Sequence, residues 1–290
     1  MNRRPSARQA SSTHIIQDYN DLLERFKEFL LVDLKRDSKT VYEHSYYVGK
    51  FLVQLAKPIS MITAEDIRAY LKGLNSSNAT YKNTLGALKV FFRDFLTMPQ
   101  VVASFKFPRP GFKPKHIFSK EQLQQFYNAI EFPKEKALFM IYATSGLRRD
   151  EVLSLNLKDI DFNTRMITPQ AHEGETKKSW LSFFNMEAEN VLKEYLASKK
   201  PTRSLRLFPM PRTEQKQLWK AAREKTSLNI SPQRLREWFC SEMLSLGVQD
   251  CYIDAFCGRV PKSILARHYT DYSPEKLSQI YDKAGLKVLS

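Results

Sequence analysis

Apolar residues recur at helical spacing through the first hundred positions of the chain. The pattern predicts helices at 15–33, 39–56, 63–74 and 78–97. Thr63 and Asp66 have the spacing of a capping box, in which each side chain bonds the backbone N–H of the other residue. We therefore expect a flexible polar tail at 1–13, followed by a helical bundle at 14–104.

The helical periodicity stops at residues 105–115, where the sequence is FKFPRPGFKPK. Its three prolines disfavour a helix, because proline lacks a backbone N–H and restricts the residue before it. The segment is therefore predicted to be an extended, basic linker. It divides the chain into two domains, the second of which covers 116–290.

The second domain mixes helical and strand patterns. A capping box at Ser119 starts its first helix, and a buried helix at 134–144 ends at Ser145-Gly146. The stretches 160–169 and 178–184 have strand patterns. Further helices are predicted at 186–199, 214–226, 231–246, 248–257, 261–269 and 273–284. The expected fold class is mainly α with a small antiparallel β-sheet: a helical bundle followed by a mixed α+β domain.

The chain is strongly basic, with a net charge of +15 at pH 7. Basic residues outnumber acidic ones in both domains, which favours a protein that contacts a polyanion from two sides, since each lysine or arginine on a phosphate releases counterions. The N-terminal residues lack the apolar segment of a secretory signal, and no run of about 18 apolar residues could span a bilayer. We expect a cytoplasmic protein with no membrane association.

The three cysteines are Cys240, Cys251 and Cys257. They form neither an even set nor a CxxC pair, which indicates a reducing compartment and favours three core residues.

Tyrosines and lysines alternate in the second predicted helix. Tyr42, Tyr46 and Tyr47 lie among Lys39 and Lys50. This composition suits contact with a nucleic-acid backbone. The alternative is that the tyrosines are half-buried with only their hydroxyls in water, and we favour it for at least two of the three.

Five side chains have the chemistry needed to break and rejoin a phosphodiester. They are Arg148, Lys177, Arg236, Arg259 and Tyr269. A phenol can act as the nucleophile and keep the bond as a phosphate ester, so that rejoining needs no ATP. Arginine forks can bind the non-bridging oxygens, and a lysine can protonate the leaving 5′ oxygen. No single one of these residues is diagnostic.

A metal-dependent nuclease is a competing class of enzyme. Such a site needs clustered carboxylates or histidines. The histidines are instead scattered, at His14, His44, His116, His172 and His268. The one local cluster, His172-Glu173-Gly174-Glu175, has no second half in the sequence. We therefore expect neither a metal ion nor another cofactor.

The order and spacing of these residues resemble the tyrosine recombinase (phage-integrase) family, and more closely its archaeal and archaeal-virus integrase branch. The family's Thr-Gly-Leu-Arg-x-x-Glu box appears as Ser145-Gly146-Leu147-Arg148-Arg149-Asp150-Glu151, and its His-x-Leu-Arg box as Gln233-Arg234-Leu235-Arg236. The Gly-His position holds Gly258-Arg259, and the tyrosine lies in His268-Tyr269-Thr270. The resemblance covers 116–290, and more loosely the N-terminal bundle, which is similar to the family's core-binding domain.

The resemblance implies a role for each of these residues. Tyr269 is the nucleophile, and the three arginines bind the phosphate. Lys177 is the acid because a Thr-Lys pair before the second strand is the usual setting, with Lys178 as the alternative. Glu151 supports the first arginine.

Two departures from the family pattern affect proton transfer. Gln233 and Arg259 stand where the family has histidines, so the acceptor of the Tyr269 proton stays open. Tyr272 is a competing nucleophile, but the ten-residue interval from Arg259 favours Tyr269. His268 receives no role, because neighbouring side chains on a helix point about 100° apart.

The function implied by the resemblance is site-specific recombination through a covalent 3′-phosphotyrosine intermediate. Integration or excision of a mobile element is favoured, because of the missing histidines. A Xer-like resolvase of chromosome dimers and a catalytically silent DNA-binding protein are the alternatives. The implied partner is double-stranded DNA with a specific target site, bound by a homo-tetramer, whereas the free protein could be a monomer. The helix at 274–284 either packs on a neighbouring subunit or folds back on its own domain.

Overall fold

The computed structural model describes residues 7–109, 111, 114–169, 181–199, 204–261 and 263–290, with side chains from residue 18 onward except at 212 and 216. The chain divides into two compact units, 1–113 and 114–290. Within the described ranges, no helix combines the length and the apolar character needed to cross a membrane.

The first unit is a helical bundle. Its helices are α1 (Ala7–Val32), α2 (Ser38–Leu55), α3 (Ala64–Gly73) and α4 (Asn78–Lys89), and α4 continues as a wider π-helical turn over Val90–Phe95. Phenylalanine rings fill the core and meet edge to face. Those of Phe26, Phe51, Phe91 and Phe92 are fully buried. This aromatic packing confirms the predicted bundle.

The two ends of the predicted helices were not equally visible in the sequence. The capping box is present, since the Asp66 carboxylate accepts the Thr63 N–H at 2.8 Å and the Thr63 hydroxyl accepts the Asp66 N–H. By contrast, α1 begins at Ala7 and not near residue 15. Residues 7–14 include good helix formers but have no apolar stripe, so periodicity could not reveal this first part of the helix.

The second unit surrounds one central helix with further helices and a small sheet. Its helices are α5 (Lys120–Asn128), α6 (Pro133–Ser145), α7 (Arg149–Ser154), α8 (Met186–Ser198), α9 (Arg212–Gln217), α10 (Lys220–Thr226), α11 (Pro232–Ser245), α12 (Asp250–Phe256), α13 (Ile264–His268) and α14 (Pro274–Ala284). Every residue of α6 from Ala137 to Ser145 is buried. α6 packs against α8 and α11 and forms the middle of the core.

The sheet is antiparallel, as predicted. Its strands are β1 (Ile160–Asp161), β2 (Met166–Ile167) and β3 (Ser182–Phe183), in the order β1-β2-β3. Ile160 lies opposite Ile167, and Met166 lies opposite Phe183. The described strands are shorter than the sequence pattern indicated. The fold is therefore mainly helical with a small antiparallel sheet, which confirms the expected class.

The prediction of one helix at 214–226 is wrong, because the chain turns at Trp219. This residue has a φ of 59° and separates α9 from α10. Its indole is buried against the rings of Phe126 and Phe139, and its Nε1–H donates to the Glu135 carbonyl at 3.1 Å. Burial of the large ring with its polar N–H satisfied offsets the cost of the left-handed backbone.

The C-terminal helix α14 packs on its own domain. Leu277 and Tyr281 are buried, and the Tyr281 hydroxyl donates to the Thr144 carbonyl at 2.8 Å. Beyond the helix, the Glu187 carboxylate accepts the Val288 N–H at 2.7 Å and also bonds Leu289. Of the two predicted arrangements for this helix, the structure has the one in which it folds back.

Candidate active site

A glycine turn places the first candidate arginine. α6 ends at Gly146, which has a φ of 65°. A Cβ at this position would lie 2.5 Å from Cδ1 of Phe239 and 3.1 Å from Sγ of Cys257. Only glycine fits both the left-handed backbone and this close approach. The chain therefore turns tightly from the buried helix into Arg148.

Arg148 starts α7 and is held by Glu151. The Glu151 carboxylate accepts the backbone N–H of Arg148 at 2.6 Å through one oxygen and the guanidinium at 2.6 Å through the other. This is the capping geometry in which an acidic residue three positions into a helix bonds back to its start. The guanidinium also donates to the Gly258 carbonyl at 3.4 Å. Its side chain stays 29% exposed.

Arg236 lies on α11 and is almost completely buried. Only 4% of the residue is exposed. Its guanidinium donates to the Gly146 carbonyl at 2.5 Å and to the Cys257 carbonyl at 2.8 Å. Burial, and the nearby charges of Arg148 and Arg259, lower the pKa of this guanidinium. Arg236 thus connects two turns that are distant in sequence.

Arg259 follows the C-terminal end of α12. Its guanidinium bonds the Asp254 carboxylate at 3.2 Å and lies 3.6 Å from Sγ of Cys240. Burial opposes the charge, but the sulfur atoms of Cys240 and Cys257 and the Asp254 carboxylate outweigh it and raise the pKa of Arg259. The side chain is 45% exposed.

The three arginines converge on one turn, residues 257–259. Arg148 bonds the carbonyl of Gly258, Arg236 bonds that of Cys257, and Arg259 is the next residue. Placing like charges so close has an electrostatic cost, which an anion bound among them would relieve. The turn is therefore suited to bind a phosphate.

The candidate nucleophile lies outside this cluster. Tyr269 follows α13, is 77% exposed, and has its backbone N–H bonded to the Leu265 carbonyl. Across the described residues, no recorded hydrogen bond or ring contact joins its side chain to the three arginines. The rival Tyr272 donates its hydroxyl to the Ala266 carbonyl at 2.5 Å and packs on the ring of Tyr252. Burial raises the pKa of Tyr272, which makes it a poorer nucleophile.

Three other candidate residues lie away from the arginines or cannot be placed. The Gln233 amide donates to the Glu237 carboxylate at 3.4 Å. That carboxylate also binds Lys115 and Arg234, so Gln233 belongs to a separate polar group at the start of α11. Lys177 and Lys178 lie outside the described residues.

The sequence analysis missed two sulfur atoms at the site. Sγ of Cys240 lies 3.4 Å from Sγ of Cys257 and also beside Arg259. The expectation that all three cysteines are core residues is wrong, because only Cys257 is fully buried and Cys240 and Cys251 are partly exposed. Helical spacing held a signal, since Cys240 is one turn after Arg236 on α11.

The expectation about the α2 tyrosines is also wrong. Tyr42 is 70% exposed and Tyr46 is 52% exposed, so at most one of the three is half-buried. Their rings stack at 6.4 Å between centroids. Lys39 and Lys50 are exposed on the same helix. As for metals, the described part of the chain has no group of three or more His, Cys, Asp or Glu residues that could hold an ion.

Comparison with known families agrees with both units. Residues 116–276 match the model of the phage integrase family, and residues 22–100 match that of the phage integrase N-terminal SAM-like domain. Together these matches span most of the chain. The chain belongs to the phage integrase family, the tyrosine site-specific recombinases.

Relatives of this recombinase are found in archaea and bacteria. It is 24% identical over 284 residues to tyrosine recombinase XerA of Pyrococcus horikoshii, covering 92% of this chain and 94% of that protein. It is 23% identical over 294 residues to tyrosine recombinase XerC of Staphylococcus saprophyticus, covering 93% of this chain and 90% of that protein. The archaeal matches confirm the resemblance to the archaeal branch.

Solved structures share the fold of the recombinase. The Tn1549 transposon integrase in complex with circular intermediate DNA has a TM-score of 0.66 at 16% identity, covering 89% of this chain and 98% of that one. A lambda integrase dimer bound to a COC′ core site has a TM-score of 0.65 at 15% identity, covering 92% of this chain and 96% of that one. At such low identity the likeness concerns the fold alone.

Proposed function

We propose that this recombinase integrates and excises a mobile element at a specific double-stranded site in cytoplasmic DNA. Residues 14–104 are the core-binding domain, 116–290 the catalytic domain, and 105–115 the linker between them. Family membership supports site-specific recombination in general. The mobile-element role rests on Gln233 and Arg259, which stand where the family has histidines.

Tyr269 carries out strand cleavage. Its phenolic oxygen attacks the scissile phosphorus, the bond from phosphorus to the 5′ oxygen breaks, and the protein remains joined to the 3′ phosphate. One ester replaces another, so the reverse attack by a 5′ hydroxyl rejoins the strand without ATP. Lys177 protonates the leaving oxygen, with Lys178 as the alternative.

The convergence of three guanidinium groups at residues 257–259 is the observation that carries the proposal. Arg148, Arg236 and Arg259 stabilise the negative charge that grows on the non-bridging oxygens. Arg236 has two recorded bonds to backbone carbonyls, which leaves three of its five N–H donors for the phosphate. A bound phosphate also relieves the repulsion among the three cations.

The exposed position of Tyr269 fits a nucleophile that moves into place on DNA. None of the side chains of α13 is buried. Moving this helix therefore uncovers no core, and the cost of bringing Tyr269 to the phosphate is small. The movement gives the enzyme a way to remain inactive until it is bound to its site.

The exposed side of α2 supports DNA contact by the core-binding domain. Tyr42 and Tyr46 present stacked rings and hydroxyls, and Lys39 and Lys50 add positive charge. These groups suit phosphate and sugar contacts, which position a protein on a duplex without reading its sequence.

We further propose that four copies assemble on two duplexes. A structural relative, the lambda integrase tetramer bound to a Holliday junction, has a TM-score of 0.64 and 16% identity to this chain. Light scattering with site DNA should give the mass of four protomers, whereas the free protein should be smaller. A complex that remains monomeric on two joined duplexes would contradict this assembly.

The test of the chemistry is a covalent trap. A duplex with a nick near the cleavage site releases a short fragment after attack, so that the strand cannot be rejoined. Incubation with this duplex in EDTA should give a protein–DNA adduct that survives denaturation. Tyr269→Phe should give none, because phenylalanine has no nucleophilic oxygen.

Tyr272→Phe is the matched control. It removes a hydroxyl three residues away that bonds Ala266, and it should still form the adduct. If the adduct persists in Tyr269→Phe, disappears in Tyr272→Phe alone, or forms only with added Mg²⁺, the assignment fails.

Resolution of chromosome dimers is the second candidate role. The relatives named XerA and XerC, which the recombinase matches over more than 90% of its length, favour it. Mapping the cleaved sites on cellular DNA separates the two. A single chromosomal site would favour dimer resolution, and a site shared with an element's end would favour integration.

A further inference from the structure

Two cysteines lie side by side beneath the arginine cluster. Cys240 is on α11 and Cys257 caps the end of α12, and their sulfur atoms are 3.4 Å apart. Cys257 is fully buried, whereas Cys240 is partly exposed. The third cysteine, Cys251, lies near Gln249 and has no recorded contact with either of them in the described part of the chain.

The surroundings of the pair favour a reactive thiolate on Cys240. A hydrogen bond from Cys257 and the charges of Arg259 and Arg236 lower the pKa of Cys240. The same hydrogen bond and burial raise the pKa of Cys257, so that the shared proton stays on Cys257. The thiolate is the nucleophilic form of cysteine, and cationic neighbours promote it.

We propose that Cys240 and Cys257 are a reversible oxidation site, which closes to a disulfide under hydrogen peroxide and displaces Arg259 from its place in the active site. The effect on strand cleavage rests on the function proposed above, whereas formation of the disulfide does not. In this pair Cys240 reacts first, because it is the partly exposed one, and the buried Cys257 resolves the product.

The chemistry needs only peroxide as the oxidant. The Cys240 thiolate attacks one peroxide oxygen, the O–O bond breaks, and the released hydroxide takes a proton to become water. The product is a sulfenic acid. The Cys257 sulfur then attacks the Cys240 sulfur, the S–O bond breaks, and a second water leaves with the Cys257 proton. Two thiols have lost two electrons and peroxide has become two molecules of water.

Closing the bond changes the environment of Arg259. The sulfur atoms must move from 3.4 Å to the disulfide length of about 2.05 Å, which pulls the turn at 257–259 toward α11. The Cys240 sulfur also loses its negative charge, so that Arg259 keeps only its bond to Asp254. A displacement of about 1 Å at a catalytic group can cost about 100-fold in rate.

The test oxidises the full-length protein with a small excess of hydrogen peroxide and then follows both the thiols and the cleavage. Mass spectrometry of an unreduced digest should find the Cys240 peptide linked to the Cys257 peptide. Formation of the adduct with nicked DNA should fall at least about tenfold. Dithiothreitol should restore it, which distinguishes the disulfide from methionine oxidation, because a thiol reductant alone does not reverse that lesion rapidly.

Two variants provide the controls. Cys251→Ser should form the same linked peptide and lose cleavage to the same extent, because Cys251 lies outside the pair. Cys240→Ser should form no linked peptide, and peroxide should not change its own rate of cleavage. This comparison uses each variant as its own reference, so a lower starting rate does not affect it.

Three results would overturn the inference. The first is free Cys240 and Cys257 after peroxide, and the second is a link through Cys251. The third is a complete Cys240–Cys257 disulfide with cleavage unchanged or faster. Failure of the reduced protein to cleave DNA would instead contradict the proposed function, and the linked peptide would still be measured without DNA.

Discussion

At the scale of single residues, the three arginines differ in what holds them. Arg236 is buried and bridges two backbone carbonyls, whereas Arg148 and Arg259 are partly exposed and pair with acidic side chains. A planar fork can bond two acceptors in different turns at once, which the single ammonium of lysine does poorly. Arg236 is therefore both a cation of the site and a connection that fixes its shape.

Replacing Arg236 by lysine should separate shape from charge. Arg236→Lys keeps the charge but loses at least one bond to the Gly146 or Cys257 carbonyl. We expect the free energy of unfolding, measured by urea denaturation, to fall by about 1.5–3 kcal/mol. Adduct formation should slow by about 100-fold.

Arg234→Lys is the matched change on the same helix. Arg234 pairs with Glu237 at 3.0 Å and is partly exposed. An exposed pair contributes about 0–1 kcal/mol, so this variant should remain nearly as stable as the parent and cleave normally. Equal effects of the two changes would show that the carbonyl bridge has no special role.

At the scale of elements, the site depends on how α6 ends. The helix is buried along most of its length, and its last residues must turn into Arg148 without uncovering the core. Gly146 allows the turn, and the ring of Phe239 on α11 closes over it. The contact fixes the distance between α6 and α11, and with it the distance between Arg148 and Arg236.

Two glycines with the same backbone conformation allow this contact to be measured. Gly146 has a φ of 65° and Gly285 a φ of 62°, but only at Gly146 would a Cβ meet another side chain. Gly285→Ala should cost about 1–2 kcal/mol of unfolding free energy for backbone strain. Gly146→Ala should cost about 1–3 kcal/mol more for overpacking against Phe239.

Thermal or urea unfolding of the two variants gives the comparison. If Gly146→Ala is no less stable than Gly285→Ala, the ring of Phe239 moves aside freely and the turn does not fix the two helices.

At the scale of the whole molecule, each unit has its own hydrophobic core and the positive charge is spread over both. The first core is built on the helices of residues 1–113, and the second surrounds α6. The net charge of +15 gives the chain a general attraction for DNA, while its two cores allow each unit to fold around its own part of the task.

Binding to DNA should therefore depend steeply on salt. If about six to ten phosphates are contacted, raising the salt from about 50 to 200 mM should weaken binding by about 10³–10⁵-fold. The double variant Lys39→Gln/Lys50→Gln should reduce the slope of log K against log salt by about 2, since each phosphate contact contributes about 0.9. Fluorescence anisotropy at several salt concentrations measures it.

The control removes two lysines that already have acidic partners. Lys27 pairs with Glu24 at 2.6 Å, and Lys220 lies 3.8 Å from Glu224. Lys27→Gln/Lys220→Gln removes the same charge and should leave the slope nearly unchanged. An equal change in both double variants would mean that overall charge alone, and not the exposed side of α2, sets the salt dependence.

The sequence by itself determined the features that depend on neighbours in the chain. Capping residues marked the starts of helices at Thr63, Ser119, Ser231 and Ser273, and glycines marked the ends at Gly146 and Gly285. These signals act over three or four residues, so they remain visible without a fold. The order of the motifs likewise revealed the family and the candidate residues.

Only the tertiary structure decided the features that join distant parts of the chain. The break at Trp219 depends on Glu135, 84 positions away, and the buried bridge of Arg236 depends on Gly146, 90 positions away. The sulfur pair beside Arg259 likewise joins α11 to the end of α12. Local periodicity contains no term for such contacts, because their energy comes from groups that approach each other only after the core has formed.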